Sequence, residues 1–374
     1  MKKLRILHAA VSMNPSSGVV KQMEWEQKAA QELDINWLSV LHTPVESKSP
    51  IVTTWQNLHN HSLLRYIQLR AKFYAWLESV SDDFDLILLR YSVHDPWQWR
   101  TAGKIGHKLL TVHHTKEELE LRGSRSGFGW VKVLLERLFG RSTLRRVLGQ
   151  VAVTPEILAY EEGRLHGLKK LGFLYPNGIE IQPRRFLDHR SGDVPELIFV
   201  ASYFSPWHGL DKIIHALMVD DSRCVLHVVG RVSDEDMVSC KLDNRIVLHG
   251  HLDEERLKRL MSKTWCGLSS FALERQAMKQ ACTLKVREYL EAGLPVYAGH
   301  VDSGLPKNFP YFKNFEPCLK EILDFATEML KYRREEVSDA ALEYISKIYK
   351  LNELNSHLHS HLNLKPLKRS EPHR

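Results

Sequence analysis

The chain has 374 residues, 43% hydrophobic and 26% charged, the composition of a folded protein long enough for two domains rather than of a disordered or fibrous one. No apolar run approaches the roughly 20 residues that span a bilayer, and the apolar stretch after Met1-Lys2-Lys3 ends at Asn14-Pro15 without a small-residue cleavage site, so it reads as a first strand rather than a signal peptide. The net charge of +7 is confined to the first half: residues 1–175 carry 24 Lys and Arg against 17 Asp and Glu, while residues 176–374 carry 28 of each.

In chain order, the first half alternates Leu-, Ile- and Val-rich runs at 4–11, 35–42, 85–91, 108–112, 150–153 and 171–175 with helical periodicity near 19–33, 58–80, 96–106, 128–148 and 156–169. Apolar strands separated by helices of ten or more residues fit a parallel sheet covered on both faces. The alternation breaks at Pro176-Asn177-Gly178 and restarts at Glu196-Leu197-Ile198-Phe199-Val200. Strands are then expected at 223–230, 245–250, 264–269 and 294–298, with helices near 208–219, 253–262 and 284–292. This predicts an N-terminal domain at 1–176, a linker at 177–195, a second domain at 196–335, and a C-terminal helix with a basic, disordered tail at 336–374. The stretch 317–351 reads as helical.

Two doubly wound domains imply a cleft lined by the carboxyl ends of their strands, where ligands bind in such folds. The five cysteines (Cys224, Cys240, Cys266, Cys282, Cys318) are odd in number and never form C-x-x-C, which argues against a disulfide framework or a zinc site and fits a reducing cytoplasm. His357, His359 and His361 read as a solvated helix end, because no Cys or carboxylate partner has matching spacing. His59 and His61 suggest no site.

The most informative segment is Thr283-Leu284-Lys285-Val286-Arg287-Glu288-Tyr289-Leu290-Glu291-Ala292-Gly293-Leu294-Pro295-Val296, a short helix closed by Gly293 and followed by a strand. Lys285 and Glu288 share one face near the helix N-terminus, whose free N–H groups suit a diphosphate; a carboxylate there can accept both hydroxyls of a ribose. Taken alone, the pair reads more readily as a surface ion pair. This segment resembles the donor-binding helix of the retaining GT-B glycosyltransferases, in particular glycosyltransferase family 4. Four further segments are similar in order and spacing: Asn14-Pro15-Ser16-Ser17-Gly18, Arg90-Tyr91 with Thr111-Val112-His113-His114-Thr115-Lys116-Glu117, Pro176-Asn177-Gly178-Ile179, and Ile198-Phe199-Val200 with Ser205-Pro206-Trp207-His208-Gly209.

The resemblance implies an α/β, GT-B fold of two Rossmann-like domains facing a central cleft, and a hexosyltransferase, retaining in stereochemistry, that needs no metal or other cofactor. It implies His113 as the catalytic residue against the donor sugar, with His114 the lesser candidate. Gly18, His208, Gly209, Arg231, Lys285, Arg287 and Glu288 become the donor-binding set. The second family glutamate, eight residues before Glu288, is replaced by Gln280, and the family's cations around the phosphate loop by Ser202 or Tyr203 and His208. Diphosphate charge is then expected to be met by Lys285, Arg287, Arg231 and a protonated His208.

The segment 122–146 holds Arg122, Arg125, Lys132, Arg137, Arg141, Arg145 and Arg146 against one acid, Glu136, interleaved with Phe128, Trp130, Leu134, Leu138 and Phe139. It reads either as a core helix with a solvated basic side or as a face for an anionic membrane, with Arg137, Arg141 and Arg145 as its contacts. The expected partners are a nucleoside-diphosphate sugar, a lipid-linked glycan acceptor and the inner face of the cell membrane, for a cytoplasmic, peripheral enzyme of surface polysaccharide synthesis. A nucleotide-sugar epimerase on the same fold is the alternative. Nucleic-acid binding, suggested by a pI near 9.0, is disfavoured by the balanced second half and the absence of a reading motif.

Overall fold

The computed structural model describes residues 3–93, 95–119, 129–182, 186, 188–190 and 192–363. The first sheet contains β1 (Ile6–Val11), β2 (Trp37–Thr43), β3 (Val52–Thr54), β4 (Leu86–Arg90), β5 (Leu109–His113), β6 (Gly149–Ala152) and β7 (Leu171–Leu174), parallel in the order β3-β2-β1-β4-β5-β6-β7. Its helices are α1 (Ser17–Glu32), α2 (Ser62–Val80), α3 (Pro96–Ile105), α4 (Gly129–Leu135), α5 (Arg141–Arg146) and α6 (Pro155–Gly163). Between α4 and α5 runs a π turn, Glu136–Gly140, where a single helix was expected.

The second sheet is parallel in the order β10-β9-β8-β11-β13-β15, from β8 (Glu196–Tyr203), β9 (Val225–Arg231), β10 (Ile246–Gly250), β11 (Cys266–Ser269), β13 (Val296–Ala298) and β15 (Phe312–Asn314). Two short strands, β12 (Gln280–Ala281) and β14 (Val301–Asp302), pair apart from it. Its helices are α7 (Leu210–Val219), α8 (Asp234–Lys241), α9 (Glu254–Met261), α10 (Leu284–Glu291) and α11 (Leu319–Met329). The stretch expected as one helical region continues as α12 (Arg334–Ile345) and α13 (Lys347–Asn363), separated at Ser346.

Both sheets are covered on both faces. Leu86, Ile87, Leu88 and Leu89 are all fully buried, which explains why β4 reads as a continuous apolar run instead of alternating. One face of the first sheet packs on α2 and α3, the other on α1 and on α13, which returns from the second domain. Leu351, Leu354 and Leu358 of α13 are fully buried against Ile6, Leu88, Leu110 and Phe173. At about 1.5–3 kcal/mol for each fully buried side chain, this seam anchors the C-terminal helix to the first domain.

The chain therefore crosses between domains twice, side by side: Ile179 N donates to Ile345 O and Lys347 N donates to Ile179 O, both at 2.8 Å. A Cβ on Gly178 would lie 2.9 Å from Lys347 N and Cα, so the crossing requires glycine there. Strand order reverses between β1 and β4 in one sheet and between β8 and β11 in the other. Those switch points place open crevices at the carboxyl ends of the strands. Among the described residues no helix is long and apolar enough to cross a membrane.

Candidate active site

At the switch point of the second sheet lies a pocket of about 380 Å³, formed by the ends of β8 and β11, the turn Pro206–His208 and the start of α10. Thr283 caps α10 by accepting from Val286 N, and the next residues leave amide N–H groups free at the pocket wall. Lys285 lines the pocket; its Nζ lies 2.6 Å from Glu288 Oε2, with both side chains about a third exposed. Opposite, the first turn of α1 brings Gly18 to within van der Waals reach: a Cβ on Gly18 would lie 3.7 Å from Leu284 Cδ1.

Gly209 has a φ of +72°, and a Cβ there would meet Phe271 Cβ at 3.0 Å and Ala272 N at 3.1 Å. Glycine thus lets the loop after β8 close on the loop after β11, a contact sealed by Phe271 N donating to His208 O at 2.8 Å. His208 Nδ1 accepts from Ser205 N at 2.9 Å, which leaves the ring proton on Nε2. Burial, outweighing a hydrogen bond with the Ser205 backbone, holds the imidazole, stacked on Trp207 at 3.6 Å, at a pKa of about 4. This corrects the expectation of a protonated His208; it is a neutral donor at pH 7.

Arg287 is also corrected. Its guanidinium is fully buried, bonded to Asp302 and 3.1 Å from Asn177 O. Two residues from Lys285 is about 200° around a helix, so Arg287 faces the domain interior while Lys285 faces the pocket. Arg231, at the end of β9, is exposed and does not line the pocket; its carbonyl accepts from Phe204 N at 2.8 Å.

Gln280 takes no part in the pocket wall. Its Oε1 accepts from Glu156 N at 3.1 Å, and Glu156 Oε2 accepts from Lys279 N and Gln280 N at 2.9 and 2.7 Å. Lys116 Nζ completes this latch, 2.7 Å from both Glu156 Oε1 and Ala277 O. Asn177 makes a second tie, donating from Nδ2 to Cys282 O and accepting from Gln22 Nε2, each at 2.6 Å. The domains are thus held closed by main-chain acceptors and donors that no side-chain pattern announces.

His113 is placed differently from expectation. It is fully buried, with Nδ1 3.1 Å from Glu117 Oε2, Nε2 3.0 Å from Thr111 Oγ1, and its ring 4.5 Å from that of Tyr91. Burial alone would lower its pKa, but Glu161 and Glu117 outweigh burial and raise it. His113, Glu117 and Glu161 bring one ligand atom each within 4.8 Å of one another, the grouping of metal-ligand type among the described residues. Arg164 lies against it, 2.8 Å from Glu161 and 2.5 Å from Glu136, so the cluster is an internally compensated ion network. His114 leaves the strand on the opposite face, is half-buried, and has a partnerless Nε2. Its pKa falls well below the usual value through burial and the neighbouring Arg90, His8 and Lys347.

Glu136, the one acid of the basic segment, is fully buried against Arg164 and Tyr91. The outer side of α5 and the π turn is consequently predominantly basic, a groove of about 470 Å³ lined by Arg137, Leu138, Arg141, Ser142, Arg145 and Arg146, with Arg137 Nε 3.6 Å from Glu118 Oε1. Leu134 and Leu138 are exposed beside it. Arg122 and Arg125 lie outside the described residues. His357 and His361 are exposed on α13, and His361 Nδ1 lies 3.0 Å from His357 O.

Two doubly wound domains joined by a double crossover, with a pocket at the switch point of the second, define the GT-B architecture, and this chain has the fold of GT-B glycosyltransferases. It is similar in structure to WaaB, a lipopolysaccharide outer core galactosyltransferase in its apo form, with a TM-score of 0.67 and 12% identity over 96% of this chain and 100% of that one. A glycosyltransferase of Rickettsia africae matches with a TM-score of 0.63 and 14% identity over 99% and 100% of the two chains. HepE of Anabaena, solved with UDP-glucose, matches with a TM-score of 0.60 and 15% identity over 95% and 99%. No family model matches the chain, and no curated protein matches it significantly in sequence.

Proposed function

We propose that the protein is a glycosyltransferase that takes a nucleoside-diphosphate sugar in the pocket of the second domain and passes the sugar to a glycan acceptor held by the first. The observation that carries this reading is the pocket itself: free amides at the start of α10, Lys285, and the Nε2–H of His208 converge on one wall, with the Lys285–Glu288 pair at its edge. That is an arrangement for an anion beside a diol. The amides and Lys285 would stabilise the leaving diphosphate as charge builds on it, and Glu288 would accept the ribose hydroxyls. HepE, solved with UDP-glucose, supports the donor class.

The finer reading follows from the other side of the cleft. His114, whose Nε2 is free of protein partners, takes the place of His113 as the imidazole that meets the transferred sugar. The exposed Arg137 and Arg145, with the half-buried Arg141 between them, would hold the enzyme on an anionic membrane bearing a lipid-linked acceptor of surface polysaccharide, as suggested by the role named for WaaB. Retention of configuration and metal independence complete the proposal through the family 4 resemblance.

The test is thermal unfolding with UDP-, GDP-, dTDP- and ADP-sugars, followed by transfer of labelled sugar to membrane glycolipid. A ligand at 100 times its Kd adds about 2.7 kcal/mol, a visible rise in Tm. A chain stabilised by none of these nucleotides would not be such an enzyme. Turnover of the donor with no acceptor present would instead favour the epimerase.

A further inference from the structure

The first sheet has its own switch point, between β1 and β4, and the polar side chains at its edge are short of partners. His8 on β1, Arg90 on β4, His114 after β5 and Tyr175 after β7 follow the parity of Ile6, Leu88, Val112 and Phe173. They therefore leave the sheet on the face covered by α1 and α13. From α13 comes Lys347, 4% exposed, its amine 4.8 Å from the centre of the Tyr175 ring. From α1 comes Glu26, 2% exposed, bonded at 2.6 Å to His8. His114 feels Arg90, His8 and Lys347 electrostatically, and Glu26 feels Lys347, so these groups form one cluster.

Its hydrogen bonding and its charge are both incomplete. His8 Nε2 and His114 Nε2 are buried without a partner, and the buried Tyr175 OH, which acts on Glu26, completes no hydrogen bond of good geometry. Among the described residues no acceptor pairs with the guanidinium of Arg90; the carboxylates acting on it, Glu117 and Glu26, are engaged by His113 and His8. Two cations and two imidazoles thus face two carboxylates, Glu26 and Glu117, each already bonded to a histidine. Water could satisfy the orphan ring nitrogens and hydroxyl, but water brings no countercharge to Arg90 and Lys347.

The cluster also adjoins the interdomain crossover that borders the donor pocket. Tyr175 leads directly into the crossover residue Asn177, which bonds Cys282. Cys282 precedes Thr283 at the rim of the donor pocket and acts electrostatically on Lys347.

We infer that this cluster is an oxyanion site, at which the first domain binds a phosphate or carboxylate group carried by the acceptor. Arg90 and Lys347 supply the charge, the planar guanidinium offering paired donors to two oxygens, while the orphan Nε2 of His8 supplies a directed hydrogen bond. The acceptor assignment rests on the reading of the opposite pocket as the donor site.

The test is calorimetric titration of the full chain with inorganic phosphate, glucose 6-phosphate, glucuronate and glucose, each with and without a saturating nucleoside diphosphate. The expected result is binding of the charged probes, but not glucose, to the nucleotide-saturated protein, the two sugar acids showing which anion is preferred. Arg90→Gln and Lys347→Met should each weaken that binding by about tenfold or more while nucleotide affinity stays constant. Arg90→Gln removes no ion pair made among the described residues and Lys347→Met keeps an apolar stem beside the Tyr175 ring, so Tm should change little, which separates loss of the site from loss of the fold. Failure of all charged probes to bind at millimolar concentration, or equal binding by the variants, would overturn the site. Displacement of phosphate by the nucleotide would assign the cluster to the donor and overturn the acceptor role. Phosphate binding through Arg90 in a chain that binds no nucleotide would sink the donor reading while leaving the oxyanion site standing.

Discussion

Glu156→Ala should open the cleft. The carboxylate accepts Lys116 Nζ at 2.7 Å, Lys279 N at 2.9 Å and Gln280 N at 2.7 Å, and the last two bonds join the domains. A hydrogen bond to a charged group is worth about 1.5–3 kcal/mol. The groups lie at the cleft rim, where amides freed by opening regain water, so the two crossing bonds together are discounted to about 2 kcal/mol, or roughly thirtyfold in the ratio of closed to open forms. A donor sugar that touches both domains should lose affinity by up to that factor, whereas a nucleotide held by the second domain alone should lose almost none. Burial raises the pKa of Glu156, but bonds from Lys116 and the two amides outweigh it and leave the value lowered. Its contribution is therefore complete above about pH 4.5 and is lost only as the pH falls through the folded value. X-ray scattering would show a larger radius of gyration for the variant at pH 7, and titration would separate sugar nucleotide from nucleotide. Identical scattering and identical affinities for both ligands would refute the latch.

Replacing Glu288 by Gln should weaken nucleotide binding about ten- to a hundredfold with no change in Tm, by calorimetry and thermal unfolding; unchanged titration would remove it from the ribose site. His114→Ala should keep nucleotide affinity and lose turnover, and normal turnover on the true acceptor would exclude it from the reaction. His113→Leu should cost about 1–3 kcal/mol, because it removes the Nδ1 partner of Glu117 and one of the two cationic neighbours of buried Glu161, which keeps Arg164. As the pKa of His113 is raised in the fold, its stabilisation is fully present below about pH 6.5 and declines as pH rises through the folded value; the variant's Tm should lack that alkaline decline. Charge reversal at Arg137, Arg141 and Arg145 should release the protein from anionic vesicles in co-sedimentation, with wild-type binding falling steeply with salt, and equal binding to neutral vesicles would leave this face merely solvated.

Most of the strand order could be read because buried parallel strands announce themselves as apolar runs. The elements that escaped were those with no such run. β3 is three residues long, and β12 and β14 are two each, too short for any period to register. α8 has three acids in its first turn and buries only Cys240, so its sequence carries no apolar stripe. The break between α12 and α13 lies at Ser346, a residue no rule of helix termination selects; the crossing bonds of Ile179 on either side of it determine the break.

The site was legible where function depends on local spacing and opaque where it depends on which side a strand or helix turns. Lys285 and Glu288 are three apart and do share a face, but that same helix geometry should have excluded Arg287, two residues from Lys285. Likewise His113 and His114 are adjacent on an extended chain, so they must point to opposite faces, and only the packing of the two helical layers decides which one meets the cleft. Parity does carry one usable signal: His8, Arg90, His114 and Tyr175 each stand two residues beyond a buried apolar residue of the same face. A strand that continues an apolar alternation with a basic or hydroxyl-bearing residue at its carboxyl end places that group beyond the sheet edge, and three neighbouring instances, Arg90, His114 and Tyr175, joined by His8 within β1, give a cluster that single motifs do not reveal.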